Sequence, residues 1–439
     1  MRPMPAVSFF LIFAFLPAFS ISCSTNATHG TDDTPPLDED ALIGSDDGLL
    51  PDTATDTITP DEYLPDTLLD EPDDIGADDE EIDEEVGEDA PFSDDLLPDD
   101  DGTPPTLQGC LTGEYSLYHG NFHSHTGNSD GEESPPVAFA YARDVAGLDI
   151  LAVTDHLEQL YLYYVGIPDD EYPECRETAS QLSSTTFLAL CGYEYGSARM
   201  PDLIQSAGHS NVFFNDALLP MVQTDFHDYY ASVAALPNII TQFNHPGDED
   251  PTQTFGDFEF YPAIFQQMAL YEFNGNGPVW DLFFTALANG WWLSPVFNQD
   301  NHSANWGTAN DQRTGIYMTA LDMPSLYDAF AQRRTFAAND KNATIRFMAE
   351  DACWMGSRLS GLSTYSLTVD VSDPDENDSF AAIELYDPLK NIIATQDCTA
   401  ATECLLSFEL TVTGPTYVVA RAVQTDGEYL VAAPIWMMP

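Results

Sequence analysis

The sequence has few basic residues. Its 439 residues include 12 Lys and Arg against 74 Asp and Glu, which gives a formal net charge of −62. A protein that binds nucleic acid through the phosphates needs a basic face that releases counterions. This balance excludes an electrostatic nucleic-acid binder, and we expect no nucleic-acid-binding surface on the chain.

The N-terminus lacks an apolar run long enough to span a bilayer comfortably. The run from Ala6 to Phe19 is preceded by Arg2 and followed by the small-residue stretch Ser20 to Cys23. Positive, apolar and small-residue regions in this order are typical of a secretory signal. Residues 1–22 are therefore predicted to be a signal peptide, and the protein is expected to be exported.

Cys23 stands where a bacterial lipobox has its lipidated cysteine, although Ser20 replaces the usual aliphatic residue of that motif. This resemblance implies a lipoprotein on the outer membrane or cell surface, whose membrane contact is only the lipid anchor at Cys23. The alternative is a periplasmic or secreted protein without an anchor.

The segment 23–105 is poor in aromatic residues and in bases. Residues 31–101 hold 30 of the 74 acids, and no Lys or Arg occurs between Arg2 and Arg143. Such a segment cannot bury enough apolar area to offset its chain entropy. We predict a disordered acidic tether over 23–105. Its acids lack the fixed spacing of a calcium-binding repeat, which disfavours that alternative.

The cysteines lack the CxxC spacing of zinc sites. Six cysteines remain beside Cys23, and an even number in an exported chain favours disulfides. Cys398 and Cys404 bracket a short polar segment, so we predict a disulfide between them. Cys175 and Cys191 are also near neighbours, which leaves Cys110 with Cys353, but six cysteines allow fifteen pairings and the sequence does not choose.

Side chains that bind metals recur beside short apolar runs. His123 and His125 lie two residues apart, so an extended segment places both imidazoles on one side, where they can reach one ion. The segment 135–146 begins with prolines and is followed by Gly147, which predicts a helix. The apolar runs 148–153, 187–191, 210–214, 238–243 and 293–297 are predicted to be buried strands. The ligand-type residues near these elements are Asp130, Asp155, His156, Glu194, His209, His245, Asp300 and His302.

The ligand-type residues, which form clusters beside the predicted strands, indicate a metal site more strongly together than any one of them does alone. A lone histidine beside a strand is usually structural, yet six of the nine histidines lie in the clusters, most of them at the carboxyl ends of predicted strands. Parallel βα barrels place their active sites at those ends. The remaining histidines, His29, His119 and His227, are interpreted as surface or structural residues.

The order of these motifs resembles the polymerase and histidinol phosphatase (PHP) superfamily of metallohydrolases over residues 115–350. Within it, the chain is similar to an exported branch that includes carbaryl-type hydrolases. The segment 326–337 resembles the helix of that branch that ends in Gly-Arg-Thr, with Arg333 in place of the glycine. The resemblance implies a distorted (β/α)7 barrel in the α/β class.

The resemblance also implies two or three divalent metal ions, namely Zn, Mn or Fe. One ion would be held by His123, His125, Glu194 and Asp300; a second by Glu194, His209 and His245; and a third by Asp130, His156 and His302. Glu194 would bridge two ions as a catalytic residue. Asp155 is a further catalytic candidate, either orienting an imidazole or shuttling a proton.

From residue 344 onward the pattern changes to six alternating segments separated by turn residues, which predicts a C-terminal β-sandwich. We therefore predict a PHP-like hydrolase domain over 106–343 and an accessory sandwich domain over 344–439. The expected function is metal-dependent hydrolysis of a small-molecule ester by metal-activated water, with phosphoesters favoured. The alternatives are hydrolysis of a carboxylic or carbamic ester or amide, and a non-catalytic surface binding protein with a structural metal site.

Overall fold

A computed structural model describes residues 107–157, 171–196, 207–220, 226–248, 253–274 and 278–439. All of these residues belong to one compact unit, Glu84–Pro439. The predicted signal peptide and the whole of the predicted acidic tether, with Cys23 and His29, lie outside the described residues, as does Arg199.

Within those ranges the chain forms twenty strands and six α-helices. The strands are β1 (Ser116–Asn121), β2 (Ile150–Val153), β3 (Leu188–Cys191), β4 (Tyr193–Gly196), β5 (His209–Phe213), β6 (Ile240–Asn244), β7 (Met268–Glu272), β8 (Ser294–Val296), β9 (Arg313–Met318), β10 (Thr335–Ala338), β11 (Thr344–Ala349), β12 (Cys353–Trp354), β13 (Arg358–Leu359), β14 (Thr364–Ser372), β15 (Phe380–Tyr386), β16 (Ile392–Ala401), β17 (Glu403–Thr411), β18 (Thr416–Gln424), β19 (Tyr429–Ala432) and β20 (Ile435–Met437). The helices are α1 (Pro135–Tyr141), α2 (Glu171–Leu182), α3 (Phe226–Ala234), α4 (Phe255–Phe258), α5 (Val279–Ala288) and α6 (Met323–Ala331). In the described part of the chain, no helix has the length and apolar composition that a membrane crossing requires.

The strands form sheets of eleven, five and four strands. Parallel pairing joins β1, β2 and β3 in one sheet and β6, β7 and β8 in another. In contrast, β5 runs antiparallel to β4 and β6, and β9 runs antiparallel to β1. The expected α/β class is confirmed, but the pairing is mixed and departs from a uniformly parallel βα repeat.

The helix α6 packs against strands of both larger sheets. Leu326, Ala329 and Phe330, spaced as one apolar helix face, join a core with residues of β2, β3 and β5 to β9. The carboxylate of Asp322 accepts a hydrogen bond from the backbone N–H of Ser325 at 2.8 Å and caps the helix. This core holds the strands whose ends carry the candidate site.

Arg333 follows α6 with a φ of 56°, in the left-handed region that favours glycine. The side chain is fully buried, and its guanidinium lies 3.9 Å from the ring centroid of Trp292. It donates hydrogen bonds to the carbonyl oxygens of Trp292, Phe265, Gln266, Met268 and Ala331. These bonds offset the cost of the backbone conformation and of burying the charge.

All six strands predicted after residue 343 are present, and β12, β13, β16 and β20 are additional strands that the sequence pattern did not predict. A second core contains apolar residues of β11 and β14 together with those of β15, β18 and β19. β19 also pairs with β10, with Phe336 opposite Ala432, so the C-terminal strands extend the sheet that contains β1. The domain boundary at residue 343 stays a prediction.

Three disulfides join Cys398 to Cys404, Cys175 to Cys191 and Cys110 to Cys353. The predicted bond between Cys398 and Cys404 is confirmed, and the structure selects one of the fifteen pairings that the sequence left open. The Cys110 bond spans 243 residues and ties the start of the described chain to β12.

Candidate metal centre

The nine residues predicted as metal ligands lie together, in or beside strands of the eleven-stranded and five-stranded sheets. His123 and His125 follow β1, His156 follows β2, and Glu194 lies within β4. His245 follows β6, and Asp300 and His302 follow β8. Asp130 lies in the loop between β1 and α1. The candidate site is therefore built from six separate parts of the chain.

His209 reaches the site in a different way, since it is the first residue of β5. β5 runs antiparallel to β6, and His209 pairs with Asn244, the last residue of β6. The start of β5 is thus at the same edge as the end of β6, which brings His209 next to His245. Their ring centroids are 5.2 Å apart.

Glu194 is the centre of the arrangement and is 1% exposed. Its Oε2 lies 3.1 Å from Nε2 of His123, 3.3 Å from Nε2 of His125 and 3.2 Å from Nδ1 of His156. Its Oε1 lies 3.1 Å from Nδ1 of His209 and 3.3 Å from Nε2 of His245. One buried carboxylate thus touches five imidazoles.

The ligand atoms form three overlapping groups, and within each group they lie within 4.8 Å of one another. The groups consist of His123, His125, Glu194 and Asp300; of Glu194, His209 and His245; and of His125, Asp130, His156 and His302. These are the three sets that the sequence resemblance implies, with His125 added to the third. Imidazole and carboxylate ligands in this proportion suit Zn, Mn or Fe.

Several polar atoms in the site lack a hydrogen bond. Nε2 of His123, Nδ1 of His125 and Oε2 of Glu194 are buried and have no hydrogen-bond partner among the described residues. Buried polar groups are normally paired, because an unpaired one forfeits its solvation. Atoms that point at one another at ion-pair distance without a hydrogen bond are suited to sharing a cation.

The site has a negative potential. Burial lowers the pKa of His123, but the charges of Asp300, Glu194 and Glu272 raise it well above its ordinary value. Burial likewise lowers the pKa of His245, while Glu194, Asp300 and Glu272 bring it up to about 9. The same field that attracts protons to these rings attracts metal cations.

Glu272, the last residue of β7, belongs to the site although the sequence analysis did not include it. Its carboxylate is fully buried and lies 3.1 Å from Nδ1 of His123. It also accepts a hydrogen bond from the backbone N–H of His245 at 2.8 Å. The signal was available, because Glu272 ends an apolar run as Glu194 does, but no histidine lies near it in the sequence.

Amide side chains donate hydrogen bonds to the carboxylates of Glu194 and Glu272. Asn298 donates to Oε1 of Glu272 at 2.9 Å and accepts from the backbone N–H of Phe122 at 2.8 Å. Asn244 donates to Oε1 of Glu194 at 2.9 Å. These contacts fix the orientations of the two carboxylates. The sequence did not indicate this role for Asn244 or Asn298, because an asparagine beside a strand has no distinctive pattern around it.

Asp155 is hydrogen-bonded to the loop that follows His125. Its Oδ1 accepts hydrogen bonds from the backbone N–H of Thr126 at 2.6 Å and from the hydroxyl of Ser129 at 2.7 Å. Its Oδ2 accepts from the hydroxyl of Thr126 at 2.7 Å. Both oxygens thus hold the loop between His125 and Asp130, which positions Asp130.

The described arginines of the predicted hydrolase domain are bound elsewhere. Arg143 pairs with Asp144, Arg176 with Asp216 and Arg334 with Asp328. Arg313 donates to the carbonyl oxygens of Gly307, Asn310 and Gln312. Arg333 donates to the five carbonyl oxygens described above. Among the described residues, these arginines supply no charge to the candidate site.

No family model and no curated protein matches this chain. Among solved structures, it is similar to a two-domain protein containing a predicted PHP-like metal-dependent phosphoesterase from Bacteroides vulgatus. That match has a TM-score of 0.42 and 18% identity and covers 75% of this chain and 98% of the other. It is also similar to the lesion-specific endonuclease PfuEndoQ from Pyrococcus furiosus, with a TM-score of 0.34 and 11% identity over 49% of this chain and 56% of the other. At these values neither likeness decides the fold or the activity of this chain.

Proposed function

We propose that this protein is a metal-dependent hydrolase of the PHP type, with two or three divalent ions at the candidate metal centre. The observation that carries the proposal is the contact of one buried carboxylate, Glu194, with five imidazoles at 3.1–3.3 Å. A structural site needs only four ligands in a closed tetrahedron. The nine residues gathered here exceed that number, which favours a multinuclear catalytic centre over a purely structural one.

The donor set fits such ions. His123, His125 and Asp300 with one oxygen of Glu194 would hold one ion, and His209 and His245 with its other oxygen would hold a second. His156, His302 and Asp130, with His125 close by, would hold a third. The buried atoms without hydrogen bonds, Nε2 of His123 and Oε2 of Glu194, are those that such an assignment would satisfy.

When bound, ions of this kind supply Lewis acidity, which lowers the pKa of a coordinated water and polarises an ester. The residues of this chain supply the geometry. Glu194 fixes the separation of two ligand sets, and Glu272 holds His123 in one ring orientation. Asp155 holds the loop that carries Asp130, so we assign it a positioning role rather than a proton shuttle.

The favoured substrate is a small-molecule phosphoester. The second candidate is a neutral carboxylic or carbamic ester or amide, and one observation favours it. The described arginines of the hydrolase segment are bound away from the site, so within the described part of the chain no arginine assists the metal ions in recognising an anionic phosphate. The net charge of −62 also slows the approach of anions.

Export belongs to the same proposal. The three disulfides support it, because disulfides persist in oxidising compartments outside the cytoplasm. Residues 1–22 would then be the signal peptide, with Cys23 as the lipid anchor.

The test is turnover before and after metal removal. The purified protein is assayed for metal content and for hydrolysis of a phosphomonoester, a phosphodiester and a carboxylic ester, each with a chromogenic leaving group. We expect a chelator to abolish activity, and Zn, Mn or Fe to restore it. Activity that survives complete metal removal would refute the metal-dependent mechanism. If the metal-loaded protein turns over none of the three substrates, the result would favour a non-catalytic binding protein with a structural metal site.

A further inference from the structure

A second cluster of carboxylates lies away from the metal centre, where the β10–β11 and β14–β15 connections meet. Asp340 follows β10, Asp373 follows β14 and Asp378 precedes β15. One oxygen of each lies within 4.8 Å of the others. Asp340 and Asp373 are each only 5% exposed. Such convergence of buried negative charge is costly unless a cation compensates it.

Hydrogen bonds hold two of these carboxylates in place. Oδ1 of Asp340 accepts from the backbone N–H groups of Asn342 and Ala343, both at 2.7 Å. Oδ1 of Asp373 accepts from the backbone N–H of Asp375 at 2.8 Å. The cluster is therefore a fixed arrangement rather than a set of mobile surface acids.

The carboxylate cluster carries an excess of negative charge. Three carboxylates, those of Asp340, Asp373 and Asp378, lie together here. Lys341 contacts Asp375 at 3.6 Å, but it is half exposed. Negative charge at the cluster is thus only weakly compensated by this lysine.

Two amide oxygens give an independent sign of a ligand. Gln424 is 2% exposed and donates through Nε2 to Oδ2 of Asp373 at 2.7 Å, while its Oε1 has no hydrogen-bond partner among the described residues. Asn342 donates through Nδ2 to Asp375 at 3.2 Å, and its buried Oδ1 likewise has no described partner. A half-turn of the Gln424 amide exchanges its nitrogen and oxygen and would turn the oxygen to the carboxylate side.

We propose that Asp340, Asp373, Asp378 and Gln424 form a calcium site. All four offer hard oxygen ligands, and the cluster contains neither the imidazoles nor the thiolates that select transition metals. Carboxylates combined with an amide carbonyl are typical of Ca²⁺ sites. Bound Ca²⁺ would join the β10–β11 and β14–β15 connections to the end of β18, and so stabilise the C-terminal strands against the sheet they extend. The site is independent of the proposed hydrolase activity.

The test uses the full chain with its metal centre loaded, in buffer freed of Ca²⁺ and then supplied with CaCl₂ or MgCl₂. Ca²⁺ at about ten times the dissociation constant should raise the midpoint of thermal unfolding by about 3 °C, and titration calorimetry should detect this site. Asp378→Asn should lose the Ca²⁺-dependent rise and bind one Ca²⁺ fewer. Asp351→Asn, which removes an exposed acid on β11–β12, should behave as the wild type. This control also accounts for weak binding by acids elsewhere in the chain.

The change that Asp378→Asn makes to the unfolding midpoint in Ca²⁺-free buffer distinguishes a calcium site from an acidic cluster that binds no ion. In Ca²⁺-free buffer Asp378→Asn should leave the midpoint unchanged or raise it, because it removes like-charge repulsion. Loss of the rise only in the presence of Ca²⁺ supports the proposal. If the wild type and Asp378→Asn respond equally to Ca²⁺, or neither responds, the calcium site is refuted. An equal response of the wild type to Mg²⁺ at the same concentration would overturn the assignment to Ca²⁺.

Discussion

The carboxylate of Glu272 lies 3.1 Å from Nδ1 of His123, while the other ring nitrogen, Nε2, lies 3.1 Å from Glu194. A carboxylate on Nδ1 fixes the proton there and leaves Nε2 free to act as a ligand. Glu272 thus orients an imidazole in the way that supporting carboxylates do in metalloenzymes. Asp155, for which the sequence suggested such a role, accepts a hydrogen bond from the backbone N–H of Thr126.

We expect Glu272→Gln to weaken metal binding by roughly 10–100-fold, because the amide keeps the shape but no longer holds the Nδ1 proton of His123 with a charge. Metal titration of the metal-free protein measures this. Glu259→Gln, at a half-exposed position that contacts His227, is the matched control and should change nothing. Unchanged metal affinity in Glu272→Gln would show that its contact with His123 is only structural.

Glu194→Gln removes the charge that two ligand sets share. It should lower metal occupancy and reduce kcat by about a hundredfold or more, a barrier increase of roughly 2.7 kcal/mol, while the fold is kept. Metal analysis, steady-state kinetics and circular dichroism together check this. Full metal content with turnover near that of the wild type would remove the bridging assignment and much of the case for a multinuclear site.

Arg333→Lys should reduce the free energy of unfolding by about 2–4 kcal/mol, because an ammonium cannot reach the five carbonyl oxygens or stack on Trp292 as the planar guanidinium does. Denaturant unfolding measures the loss. Arg143→Lys, which alters an exposed ion pair with Asp144, should stay within about 0.5 kcal/mol of the wild type. Equal stability of the two variants would contradict a stabilising role for the hydrogen bonds between Arg333 and the five carbonyl oxygens.

Replacing Cys398 and Cys404 by serine should lower the free energy of unfolding by about 2–3 kcal/mol, since the bond closes a short loop in the unfolded chain. Activity should be unchanged, because neither cysteine is among the site residues. Mass mapping of non-reduced peptides provides the check on pairing. Finding both thiols free in the wild type would remove this prediction.

His119 should make stability depend on pH. Burial and the charge of Arg313 lower its pKa to about 4, whereas the unfolded chain has the ordinary value of 6.5. Between these values the unfolded state binds more protons, so stability is full above pH 6.5 and falls as the pH drops towards 4. His119→Gln removes this dependence, so relative to the wild type it should gain on the order of 2 kcal/mol between pH 7 and pH 4.

Urea unfolding at several pH values measures this difference. His227→Gln is the control, because that ring is 42% exposed and contacts Glu259. The control should show no such gain at low pH. A parallel pH dependence of the wild type and His119→Gln would refute the prediction.

Several local elements agree with the patterns in the sequence, whereas others, such as β1, β7 and β9, were not predicted. Prolines at the start and Gly147 at the end predicted the helical segment 135–146, which is α1 followed by a π-helical turn. Apolar runs predicted the buried strands to within about two residues, because burial of a strand requires apolar side chains along the run itself. His156, Glu194, His209, His245, Asp300 and His302 were found for the same reason, since each lies near such a run, whereas His123 and His125 were found by their spacing.

A single segment of sequence thus indicates a local element and the kind of side chain beside it. Which of these side chains meet depends on how the elements pair and pack. Glu272 joins the site only because β7 lies beside β6 and β8, and His209 only because β5 is antiparallel. Gln424 reaches Asp373 across 51 positions of sequence. The periodicity of one segment reports its own burial, whereas convergence depends on the direction and register of its neighbours, which no single segment encodes.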